Sequence, residues 1–105
     1  MKIIETSVFT RKLKSILSNE EYRDLQNALI INPELGPIIP GGGGLRKVRW
    51  KGSGKGKRGG SRIVYYWYYS EETIVMLLIY TKKERDDLSP AQLKLLKKRI
   101  EQEFK

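Results

Sequence analysis

SRIVYYWYYSEETIVMLLIYT, residues 61–81, decides how this chain folds. Residues 61–69 mix β-branched and aromatic side chains without a glycine or proline, which predicts a strand. Residues 73–81 are nearly continuous apolar, the pattern of an inner strand buried on both faces. Ser70-Glu71-Glu72 between them is too short for anything but a turn, so the two strands form an antiparallel hairpin. Alternation along the first strand places Arg62, Val64, Tyr66 and Tyr68 on one face. Ile63, Tyr65, Trp67 and Tyr69 lie on the other. If the second set packs on helices, Arg62 and Tyr66 point to an open face.

Upstream, Leu45 to Lys51 alternates basic and apolar residues and reads as a third strand. The segment from Gly52 to Gly60 is a basic, glycine-dotted loop, and Pro33 to Gly44 (PELGPIIPGGGG) is a turn-rich connector. Two helices are expected before it. Phe9, Leu13, Ile16 and Leu17 fall on one helical face, with Thr6 or Ser7 as N-cap. Ser18 and Glu21 make a capping box for a second helix carrying Tyr22, Leu25, Ala28 and Leu29, which Asn32-Pro33 ends. A junction this tight predicts an antiparallel helical hairpin. Lys2 to Glu5 is a short opening strand. Downstream, Ser89, Pro90 and Gln92 open a last helix with Leu93, Leu96, Ile100 and Phe104 in its stripe. The order is β-α-α-β-β-β-α: an α+β fold, a small twisted antiparallel sheet with helices on one face. With 105 residues, a single domain over 1–105 is expected.

Charge is the second signal. Between Gly41 and Arg62 stand eight basic residues and no acidic one: Arg46, Lys47, Arg49, Lys51, Lys55, Lys57, Arg58 and Arg62. The net charge is +9, and outside this segment basic and acidic groups nearly cancel. A charge so concentrated marks a surface for a dense polyanion, and nucleic acid is the commonest one. Six to eight cations within reach of phosphates give strong, salt-dependent binding. An exposed Tyr66 beside Arg62 suits stacking on an unpaired base.

Several function classes drop out. Histidine and cysteine are absent, which removes thiolate chemistry and every nucleophile system built on histidine. Catalysis must use Lys, Arg, Tyr or carboxylates. Gly54 to Gly59 matches G-x-G-x-x-G but leads into a strand, not a helix, so it is no dinucleotide fingerprint. Glu84, Asp86 and Asp87 sit among Lys82, Lys83 and Arg85, a poor metal site, so no metal or cofactor is expected. No stretch reaches the roughly 18 apolar residues of a membrane span, and the start lacks a signal-peptide pattern, so a cytoplasmic protein without membrane contact is expected.

LRKVRW (45–50), GKGKRGGSRIVYYW (54–67) and LLIYTKKERDDLS (77–89), behind a two-helix hairpin, together resemble the RelE/HigB superfamily of bacterial toxins. The likeness is closest to the HigB branch with a long basic loop, and it runs over essentially the whole chain. It implies a toxin that enters the ribosomal A site and cuts mRNA without a metal. A cognate antitoxin with a helix-turn-helix domain would hold it inactive.

The family's arginine after the basic loop falls on Arg62, its basic strand pair on Lys47 and Arg49, and its basic residue after the long apolar strand on Lys83. A tyrosine that other members carry near the last helix is replaced here by Leu88 or Ser89. Asp86 and Asp87 stand where some HigB proteins use histidine and aspartate.

RNA cleavage of this kind needs a base for the 2′-OH, charge stabilisation on the phosphorane and an acid for the leaving oxygen. The fork of Arg62, assisted by Arg49, suits the second role. Lys47 and Lys83 are candidates for base and acid, since cations crowded by cations titrate lower. Arg46, Lys55, Lys57, Arg58 and Tyr66 would grip RNA. The alternatives are a non-catalytic RNA- or DNA-binding module and a ParE-type gyrase poison of the same fold.

Overall fold

The computed structural model describes residues 1–50, 60–84 and 87–104. The elements run β1 (Lys2–Glu5), α1 (Ser7–Ile16), α2 (Asn19–Ile31), β2 (Leu45–Trp50), β3 (Ser61–Tyr68), β4 (Thr73–Thr81) and α3 (Pro90–Phe104), with a single 3₁₀ turn at Tyr69–Glu71. This is the expected order, and local chemistry explains most of the boundaries. Thr6 caps α1 through its hydroxyl, which accepts from Phe9 N–H. Ser18 and Glu21 exchange both hydrogen bonds of a capping box at α2, as Ser89 and Gln92 do at α3. Glu72 closes the β3–β4 connection in the left-handed region at φ 49.

Strand order is β1-β4-β3-β2. β2, β3 and β4 form the expected antiparallel meander, but β1 pairs β4 in parallel, Lys2 opposite Thr73 and Glu5 opposite Met76. The sheet is therefore mixed, not antiparallel throughout. A register shift in β4 leaves Leu77 between the partners of Val64 and Tyr65. Thr6 meets this irregularity: its hydroxyl donates to Leu77 O at 2.9 Å and its N–H to Met76 O at 3.0 Å. One threonine thus caps α1 and ties β1 to the centre of the sheet.

The sheet carries helices on both faces, which corrects the expected single helical layer. Val48, Ile63, Tyr65, Ile74, Met76 and Ile79 bury against Phe9, Ile16, Leu17, Leu25 and Leu29 of the helical hairpin. On the opposite face Leu45, Val64, Val75, Leu77 and Tyr80 bury with Ile100 of α3, and Leu93 and Leu96 pack alongside. The apolar run of β4 already required two covered faces. Phe9, Leu25 and Leu29 have no exposed surface, and Ile100 is 1% exposed. Arg62 is buried for the same reason: the face it shares with Val64 is not an open one.

Candidate functional site

Lys47 and Arg49 on β2 and Arg62 on β3 lie on the α3 face of the sheet, near one end of the β2–β3 ladder. Lys47 sits opposite Val64, and Arg49 sits directly opposite Arg62. The backbone N–H of Lys47 turns away from β3 to donate to Pro37 O at 3.1 Å. By the alternation of an antiparallel ladder, Arg49 and Arg62 therefore form a non-hydrogen-bonded pair, the type in which opposed side chains come closest. Like charges directly opposite on a sheet are destabilising. Arg62 is also 3% exposed, and a cation seldom takes so buried a place without a purpose. Arg49, by contrast, is exposed. Tyr80 stands opposite Arg62 on β4 and is 1% exposed, so it forms part of the packing around that guanidinium's strand position.

An acid faces this cluster. Asp87, just before α3, accepts from Lys47 Nζ at 2.5 Å. Its carboxyl is held below the usual range, first by that hydrogen bond and the Lys47 charge, with smaller contributions from Arg49 and Arg62. All three cations are thus within electrostatic reach of one carboxylate. The Asp87 side chain is 78% exposed and that of Lys47 only 18%. The site is a partly sunken set of cations with an exposed counter-ion at its rim. Along the sequence Lys47 stands among cations only; the fold sets a carboxylate directly on it.

The other candidates separate. Arg46 points to the opposite face, where its guanidinium donates to Gly36 O at 2.9 Å and reaches Glu34 at 3.4 Å. It fastens the connector rather than joining the cationic face. Tyr66 is half-buried in the α3-side core instead of open, and its ring lies against Tyr68 with centroids 6.3 Å apart. Burial, then the neighbouring Tyr68, pushes its hydroxyl pKa up. Arg46 and Tyr66 meet instead in a cleft of about 400 Å³ with Ile38, Gly44, Trp67 and Tyr69. Lys83 is exposed in the turn after β4, and nothing among the described residues ties it to Lys47, Arg49 or Arg62. Lys55, Lys57, Arg58 and Asp86 lie outside the described residues.

Two features had no sequence reading. Glu84 pins the turn carrying Lys83: its carboxylate accepts from Thr81 N–H at 3.1 Å and pairs with Lys12 of α1. The T-x-x-E spacing was the available signal. A cleft of about 430 Å³ also opens along β2 between Lys47, Val48, Arg49 and Trp50 on one side and Leu35 and Pro37 on the other. No motif marks it, because the connector is joined to β2 only by tertiary contacts.

Among the described residues no three carboxylates gather into a metal-binding group, and no helix is long and apolar enough to cross a membrane. No family model matches the chain.

Proposed function

We propose that this chain is the toxin of a toxin-antitoxin pair, a ribosome-dependent, metal-independent mRNA endonuclease of RelE/HigB type. The observation that carries the reading is the buried Arg62 opposite Arg49, one strand from Lys47, with the exposed Asp87 carboxylate paired to Lys47. Rigid strands hold the cations close together at a cost in stability that a mere solubilising surface would avoid.

In this reading a phosphate of the bound RNA displaces Asp87 from Lys47. Arg62 and Arg49 then offer planar donor forks to the equatorial oxygens of the phosphorane, whose charge they stabilise more than that of the ground state. Asp87, with its carboxyl held low by Lys47, is a poor base near neutral pH. Its part is to hold the Lys47 ammonium in place until substrate arrives. Of Lys47 and Lys83, the one in its ammonium form donates to the leaving 5′-oxygen, and the other accepts the 2′-OH proton as a neutral amine once its own proton has passed to solvent. The ribosome contributes what the chain lacks, an mRNA backbone bent towards in-line geometry. The antitoxin, a helix-turn-helix protein, supplies acidic groups to this face or blocks entry to the A site.

Expression in a bacterial host, with mRNA 5′ ends mapped, tests the proposal. Growth arrest with new 5′ ends inside translated codons is expected, and both should vanish with Arg62→Ala. DNA breaks without mRNA cleavage would point to the gyrase-poison alternative. Binding without any cleavage would leave only a nucleic-acid-binding module.

A further inference from the structure

The cleft along β2 has two unlike walls. One carries Lys47 and Arg49 beside Val48 and Trp50; the other is Leu35 and Pro37 of the connector. Its volume of about 430 Å³ lies in the ~300–1,000 Å³ range of small-molecule sites.

The connector wall is firmly held. The Tyr65 hydroxyl accepts from Gly36 N–H at 2.9 Å and donates to Pro33 O at 2.7 Å. Arg46 donates to Gly36 O, and Lys47 N–H to Pro37 O. A Cβ at Gly36 would stand 2.9 Å from the Lys47 backbone, so connector and strand are in closest approach there. This bracing leaves Leu35 40% exposed, a large apolar side chain presented rather than buried. Trp50 also lines the cleft, and its shielded indole nitrogen has no hydrogen-bond partner among the described residues. Native proteins keep few such donors without a reason.

We infer that this cleft is a nucleobase subsite: it takes one unpaired base between Leu35 and Trp50 while the phosphate attached to that nucleotide sits on Lys47 and Arg49. A nucleotide has this combination of flat apolar face and adjacent anion, and the two walls match it part for part. The proposal rests on the reading of the cationic face as an RNA site, and it deepens that reading by giving cleavage a base preference. The rival occupant, an acidic peptide strand added along β2, uses the same cations but needs no flat apolar slot.

The test uses the full chain and free ribo-octamers: homopolymers of each base, and a ribose-phosphate octamer without bases, with binding measured by fluorescence anisotropy. The base-bearing octamers should bind on the order of tenfold tighter than the abasic one, the scale of aromatic stacking, and should differ among themselves. Leu35→Ser, at an exposed position outside the buried core, should bring that ratio most of the way to one. Trp50→Phe should change the ranking of the four homopolymers. Equal affinity for abasic and base-bearing octamers in the wild-type chain would overturn the inference. So would an unchanged ratio in Leu35→Ser, or displacement of RNA by an acidic alternating Asp-Val peptide in the absence of base discrimination. The two readings fail separately. Base discrimination without ribosome-bound cleavage sinks the nuclease and keeps the subsite, and cleavage without discrimination does the reverse.

Discussion

Replacing Asp87 by asparagine should strengthen RNA binding and barely affect folding. The carboxylate lies 2.5 Å from Lys47 Nζ and senses Arg49 and Arg62 as well. Its side chain is 78% exposed, so the ion pair is worth no more than about 1 kcal/mol to the fold. Binding is another matter, because a phosphate must take the place of this carboxylate. A unit charge about 4 Å away contributes about 1 kcal/mol in water, which corresponds to roughly fivefold in affinity. Without the carboxylate the bound face carries one more uncompensated positive charge, and each such charge steepens the dependence of log K on log salt for a single strand by about 0.7. Between about 50 and 200 mM salt the variant should therefore lose roughly two- to threefold more affinity than the wild type. Anisotropy titration of a short single-stranded RNA at several salt concentrations measures both quantities. An unchanged slope with unchanged or weaker affinity would show that Asp87 does not compete with phosphate. The cationic face would then have to be assigned differently.

Tyr65→Phe should destabilise the chain by about 1–3 kcal/mol, because it removes the acceptor for Gly36 N–H and the donor to Pro33 O. Thermal unfolding should show a midpoint lower by several degrees. Glu84→Gln tests the staple between α1 and the turn after β4. The Glu84 carboxyl is lowered, chiefly by its hydrogen bond from Lys12 and then by Thr81 N–H, so its contribution is present above the unfolded value of 4.5 and is lost as pH falls through the folded one. The wild type should out-melt the variant near neutral pH, by at most about 1 kcal/mol for so exposed a pair, and the gap should close in acid. A gap that is the same at both pH values would remove the staple's electrostatic basis.

What was legible in the sequence was local. The capping boxes at Ser18 and Ser89 and the turn after Tyr68 rest on residues within a few positions of one another. The alternation of β3 correctly sent Ile63 and Tyr65 to the helical hairpin. That Lys47 and Arg49 share the face of Arg62 depends on the pairing register of β2 with β3, which the alternation of neither strand alone fixes. Depth was harder to read. Arg62 was expected in the open, yet the apolar run of β4 implied a cover on both faces, and α3 supplies the second one. An amphipathic helix shows which of its own sides is buried, but not which face of a sheet it will cover. The parallel β1–β4 pairing joins four residues to a strand about seventy positions away, and nothing so short specifies a partner. Arg46 was grouped with its neighbours in sequence, although a strand's period of two places it on the other side.

The most direct test of the central claim is cleavage of one translated mRNA in a purified system, followed by primer extension, with ribosomes present or withheld and with wild-type chain or Arg62→Ala. The account predicts cuts at codons in the A site only with ribosomes and wild-type chain. It also predicts a loss on the order of a hundredfold or more for Arg62→Ala, the scale seen when a preorganised donor to transition-state charge is removed. Full cleavage by Arg62→Ala, or equal cleavage of free mRNA, would contradict it.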